Sequence, residues 1–81
     1  MSEQTKTFGE SLVGISFNPS GDNSVSKVKE LFSEIADIVY EQYSSSSIEN
    51  KGLLEKTIFT NCIGEILNAQ MNVVKFITLN K

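Results

Sequence analysis

The sequence predicts an all-α protein: an antiparallel helical hairpin with an extended N-terminal arm, assembling into a helical homo-oligomer. Three observations predict it. Apolar residues recur at three- and four-residue spacing along two long stretches, separated by the serine-rich "YSSSSIENKG". The only proline, Pro19, lies ahead of both stretches, so neither is interrupted. The chain has 81 residues, one cysteine and no histidine, so it has no internal disulfide and no histidine-bearing zinc site to support a small core. Association is the remaining support.

The elements follow in order. Residues 1–13 are expected as a flexible or partly ordered arm and residues 14–81 as the helical-hairpin domain. Leu12 to Phe17 reads as a short extended segment, with Val13, Ile15 and Phe17 on one face at period two. Asn18-Pro19-Ser20-Gly21 is turn chemistry: proline fixes its own φ and biases Asn18 away from the helical region.

A first long helix starts near Asp22 to Ser24, residues that accept bonds from free first-turn amides. Its stripe is Val25, Val28, Phe32, Ile35, Val39 and Tyr43, widened by Leu31, Ala36 and Ile38. The second runs from about Lys51 to Leu79, visibly longer than the first. Its apolar positions include Leu54, Ile58, Phe59, Cys62, Ile63, Ile66, Leu67, Met71, Val74 and Ile77, with Val73 and Phe76 adding coverage. Gly64 weakens that helix by about 1 kcal/mol relative to alanine, so it is expected to mark a close helix contact. Two helices cannot hide apolar faces this wide.

Charge narrows the function. The net charge is -3 and every basic residue is a lysine. A binder of long nucleic acid carries a basic field and forked arginines, so polymeric DNA and RNA are not expected partners. No stretch is apolar for long enough to span a bilayer, and "MSEQTKTFGE" is too polar for a signal peptide, which predicts a soluble protein of the cytoplasm. A pocket for a small anion needs only a few charges.

Such a pocket is suggested at the start of the first long helix. Helix N-termini attract acidic residues, yet Lys27 and Lys29 lie near this one. An external phosphate would compensate them, bound by free amides and ammonium groups together. Phe17 is then either a stacking platform for a base or a core anchor for the arm. Ser20 and Gly21 either present backbone donors or, with Pro19, only make a turn, and the lysines either meet phosphate or form a solvated face.

The stretch "SFNPSGDNSVSKVKELFSEIADIV", with "ILNAQMNVVKFI" near the C-terminus, resembles the helical-hairpin domain of phage anti-CBASS cyclic-nucleotide sponges and Thoeris anti-defence sponges. The shared positions are Phe17-Asn18-Pro19, Val28-Lys29, Ala36, Ala69 and Met71, and the resemblance covers most of the chain from Gly14 onward. It implies a compact homo-oligomer, commonly a hexamer, that sequesters immune signals in the host bacterial cytoplasm without cleaving them. The implied ligand is a cyclic dinucleotide such as cyclic GMP-AMP, or alternatively a cyclic ADP-ribose signal. Phe17 is the implied stacking residue and Lys29 the phosphate contact, with Asn18, Ser20 and Gly21 as weaker turn donors. No metal and no cofactor are implied. Met71 is followed by Asn72 where the family often has tryptophan, and the second helix opens with only Lys51 and Lys56 as positive charge. Both departures weigh against a further site there for larger cyclic oligonucleotides.

The remaining features read as structure. Cys62, among Phe59, Ile63 and Ile66, is expected to be a buried thiol with nothing to activate it. Tyr40 and Tyr43 are expected to pack at the hairpin turn, Met71 to fill the core, and Glu30, Glu34, Asp37 and Glu41 to form a solvated acidic face. No nucleophile, base and orienting group occur together, so an enzyme is not expected. The rival reading is a helical adaptor that binds a host protein through the apolar face of the second helix.

Overall fold

Thr7 opens the first helix. Its hydroxyl accepts from the Glu10 amide at 3.1 Å, while the Glu10 carboxylate accepts from the Thr7 amide at 3.0 Å. This reciprocal box satisfies two of the free donors of a helix start. The computed structural model describes residues 6–45 and 52–79. Among them it forms three helices: α1 (Phe8–Val13), α2 (Asn23–Ser45) and α3 (Leu53–Thr78). No strand occurs among the described residues.

The segment expected to be extended is therefore different in kind. Leu12 and Val13 end a helix, and Gly14 to Ser16 form the turn after it. Gly14 takes φ +63°, which an L side chain rarely adopts, and the Gly14 amide reaches the Ser11 carbonyl at 3.3 Å. The Ile15 amide reaches Glu10 at 3.0 Å. That paired closure satisfies the last carbonyls of α1 and ends it at Val13.

Asp22 caps α2. Its carboxylate accepts from the Ser24 amide at 2.7 Å, and its carbonyl accepts from Val25 and Ser26 at 3.1 and 3.3 Å. The start is where the sequence places it. The end is later: Ser44 and Ser45 belong to the helix, so α2 has 23 residues against 26 in α3. The rest of the serine-rich connection, residues 46–51, lies outside the described residues.

Gly9 docks α1 onto α2. A Cβ on Gly9 would stand 2.0 Å from the Ser33 carbonyl oxygen, so only a glycine admits the two backbones this close. The Gly9 amide donates to the Asp37 carboxylate at 2.6 Å. Asp37, expected on a solvated acidic face, is instead an anion held at the positive end of α1. One turn further along α2, Tyr40 stacks on Phe8 with ring centroids 4.6 Å apart.

α3 packs along α2 and also meets α1, where the Phe8 and Phe59 ring centroids lie 6.4 Å apart. Tyr43 near the end of α2 stacks on Phe59 in the second turn of α3, centroids 4.0 Å apart. Val25 near the start of α2 shares a cavity wall with Val74 and Thr78 near the end of α3. The two long helices thus run in opposite directions. Of the two tyrosines expected at the hairpin turn, Tyr43 packs on Phe59 of α3 while Tyr40 packs on Phe8 of α1.

Little of this is interior. The shortest dimension is 13 Å, little more than the ~10–12 Å diameter of one helix. Among the described residues only Val13, Val25 and Ala36 are buried apolar side chains, and α3 buries only Gln70. Leu53, Leu54 and Phe76 remain 81%, 71% and 77% exposed. Met71 is exposed rather than core filler, and Cys62 is half-buried. Among the described residues Gly64 has nothing within 4 Å of the place a Cβ would take, so the close contact expected there is not made by them. No helix among the described residues is long and apolar enough to cross a membrane.

Candidate functional site

The site is built on the two turns that join α1 to α2. The first closes when the Phe17 amide donates to the Gly14 carbonyl at 2.8 Å. Lys29, from the second turn of α2, reaches back across the fold. Its Nζ donates to the Gly14 carbonyl at 3.1 Å and to the Phe17 carbonyl. An ammonium has three N–H donors, enough for both carbonyls with one to spare. Lys29 is 6% exposed, and burial pushes its pKa below the ordinary 10.5. A charged group kept out of water is costly unless it is bonded, and these carbonyls are its bonds.

Phe17 takes the opposite course. Its backbone is fastened by Lys29, but its ring is 68% exposed. The Lys29 Nζ lies 5.4 Å from the ring centroid, within the range of a cation–π contact. The ring is therefore not a core anchor in this chain. It projects from a clamped backbone.

Asn18 organises the second turn. Its amide nitrogen donates to the Asp22 carbonyl at 3.0 Å and to the Ser26 hydroxyl at 2.8 Å. Its amide oxygen accepts from the Ser20 hydroxyl at 2.7 Å, and that hydroxyl accepts from the Asp22 amide at 3.1 Å. The Gly21 amide closes the turn on the Asn18 carbonyl at 3.1 Å, with Gly21 at φ +68°. The polar atoms of Asn18 and Ser20 are thus spent on shaping the turn. They frame the site and fix the entry to α2.

A cavity of about 330 Å³ opens among these residues, lined by Phe17, Asn18, Ser20 and Lys29 with Val74 and Thr78 of α3. Gly21 is not in its wall. A wider, open cleft of about 600 Å³ shares Phe17, Lys29, Val74 and Thr78 with it. Phe17 and Lys29 therefore stand at the junction of two spaces. Thr78 turns its hydroxyl back onto the Val74 carbonyl at 2.9 Å. Four of the five residues singled out in the sequence meet in one cavity. The contribution of α3 was not singled out, because Val74 sits in an ordinary apolar stripe and nothing local ties it to Phe17.

The arrangement offers a flat exposed ring, a buried cation and an apolar wall. Among the described residues no group of histidine, cysteine and carboxylate side chains is placed to hold a metal ion. No protein-family model, curated protein or solved structure matches the chain.

Proposed function

We propose that this chain is a phage-type immune-evasion sponge. It binds a cyclic dinucleotide of bacterial CBASS defence, such as cyclic GMP-AMP, and withholds the signal without cleaving it. The observation that carries the reading is the meeting of Phe17 and Lys29 in one cavity: an aromatic ring held out toward water beside an ammonium held away from it. A base stacks on the ring, an interaction of about 1–3 kcal/mol in single-strand binders. Lys29 spends two donors on Gly14 and Phe17 and keeps a third N–H for a phosphate oxygen. Asn18, Ser20 and Gly21 act by holding the turn in shape.

In this reading the functional unit is a homo-oligomer, commonly a hexamer in the family the sequence resembles, with ligand held between neighbouring hairpins. The broad apolar surface on α2 and α3 supports association: Leu31, Ile35, Ile38, Leu53, Leu54 and Ile58 are all exposed. A two-fold ligand suits a pocket made from two copies of one surface. The protein acts by binding alone and not as an enzyme. A cyclic ADP-ribose signal is the alternative ligand, since it offers the same base and phosphate chemistry.

The exposed start of α3 favours one second reading, a helical adaptor that grips a host protein through Leu53, Leu54 and Ile58. A thermal-shift panel separates the two. Cyclic di- and trinucleotides and cyclic ADP-ribose isomers are each titrated against wild type, Phe17→Ala and Lys29→Ala. A ligand that binds only the folded state raises the melting temperature with its concentration. The sponge predicts a shift in wild type that Phe17→Ala loses, and intact nucleotide recovered after denaturation. No shift with any nucleotide supports the adaptor.

A further inference from the structure

The wider cleft carries a second cation. Its wall includes Phe17 and Lys29 on one side and Met71, Val74, Lys75 and Thr78 on the other. No Asp or Glu lines it among the described residues, in a chain whose net charge is -3. The placement is specific to this cleft. Lys27, the other lysine of α2, lies 3.6 Å from Glu30 and is partly neutralised there. Lys75 is exposed, and no salt bridge to it occurs among the described residues. Lys29 and Lys75 both line this acid-free cleft, so an anion held in it would meet positive charge from both walls.

Lys29 and Lys75 differ in what they have left to give. Lys29 is committed to two carbonyls and sits deep. Lys75 is exposed at the cleft wall and has no ion pair among the described residues, so it is suited to meet a ligand that arrives from solvent. Thr78, one turn further along α3, keeps its hydroxyl on its own helix and leaves the rim to Lys75.

We propose that Lys75 is a second phosphate-binding residue of the Phe17 cleft, and that the ligand class is therefore one with at least two phosphate groups flanking a stacking base. The proposal rests on the sponge reading and adds to it. Phe17 supplies the platform, Lys29 the inner contact, and Lys75 the outer contact. The last turns of α3 are then part of the binding surface, although the sequence of that helix, with its few basic residues, gave no such indication.

The test measures calorimetric titrations of cyclic GMP-AMP and of the nucleosides adenosine and guanosine against wild type, Lys75→Ala, Lys75→Arg, Lys75→Glu and Phe17→Ala. Loss of one charge-assisted phosphate contact is expected to weaken cyclic GMP-AMP binding about tenfold in Lys75→Ala. Lys75→Glu should weaken it further and Lys75→Arg should restore it. The salt dependence of binding should become shallower in Lys75→Ala, and any nucleoside binding should be unchanged. An exposed residue leaves the melting temperature of the free protein in place, which separates lost contact from lost fold. Unchanged cyclic GMP-AMP affinity in both Lys75→Ala and Lys75→Glu, with binding abolished in Phe17→Ala, overturns this proposal and leaves the sponge standing. No binding of cyclic GMP-AMP to wild type overturns the proposal for this ligand. Together with a blank thermal-shift panel it overturns the sponge as well.

Discussion

Lys29 donates to the carbonyl of Phe17 and lies 5.4 Å from the centroid of the same residue's ring. One side chain therefore sets both the backbone and the electrostatic surroundings of the exposed aromatic. Replacing it acts on fold and site together. Lys29→Met keeps the length of the stem and removes the donors from Gly14 and Phe17. It is expected to cost about 1–3 kcal/mol, as orphaned buried acceptors do, read as a lower urea midpoint. Nucleotide binding should fall even where the variant is folded. A midpoint equal to wild type would show that the clamp is unimportant.

The Lys29 ammonium also predicts a pH dependence. Burial holds its folded pKa below the 10.5 of an exposed lysine. Between those two values the unfolded chain binds more protons than the folded one, so stability from this group rises with pH across that window. Below the folded pKa the penalty for burying the charge is fully present; above 10.5 it is gone. The measurement is the difference in urea midpoint between wild type and Lys29→Met as the pH climbs. The difference should grow in favour of wild type, and a flat difference would contradict it.

Phe17→Ala should separate binding from stability. The ring is 68% exposed, so its loss should change stability by no more than about 0.5 kcal/mol, as surface substitutions do. Nucleotide-dependent thermal shift should vanish. A large fall in the melting temperature of the free protein would mean that the ring is covered in solution by another copy.

Two glycine substitutions should move stability in opposite directions. Alanine in place of an interior helical glycine is ordinarily stabilising by about 1 kcal/mol. At Gly64, where a Cβ meets open space, that gain should appear as a higher melting temperature. At Gly9 the Cβ would stand 2.0 Å from the Ser33 carbonyl oxygen, and backbone cannot move aside as a flexible side chain can.

Gly9→Ala should therefore push α1 off α2, break the bond from the Gly9 amide to Asp37 and separate the Phe8 and Tyr40 rings. The expected cost is about 1–3 kcal/mol, the range for overpacking, with loss of hydrogen-exchange protection confined first to α1. A destabilised Gly64→Ala would instead place another protein surface against Gly64.

The long helices were legible because their signals are local. Asp22 caps where a capping residue stands, and the apolar stripe from Val25 to Tyr43 repeats at helical spacing. α1 was missed for a different reason. "FGESLV" is too short for a period to emerge, while Val13, Ile15 and Phe17 mimic alternation. Its signal lay at the ends, in the Thr7–Glu10 box and in Gly14. The Phe17–Lys29 pairing was named, but the attachment of Lys29 to backbone carbonyls 12 and 15 residues away leaves no mark in side-chain pattern. Gly9 and Gly64 make the same point in reverse. The glycine that admits a neighbour lies in the unrecognised helix, and the one in the obvious helix faces open space. Asp37 looked like one more surface acid because the amide it serves belongs to a helix that the sequence hides.

A slab one helix thick has two faces and almost no inside, and this governs more than assembly. In the homo-oligomer proposed above, dilution would act on such a chain as heat or urea acts on a thicker one, because mass action supplies what the three apolar side chains buried among the described residues do not. A sponge of the kind proposed above would then capture its ligand steeply with the amount of protein made, silent while scarce and abrupt once a threshold is crossed.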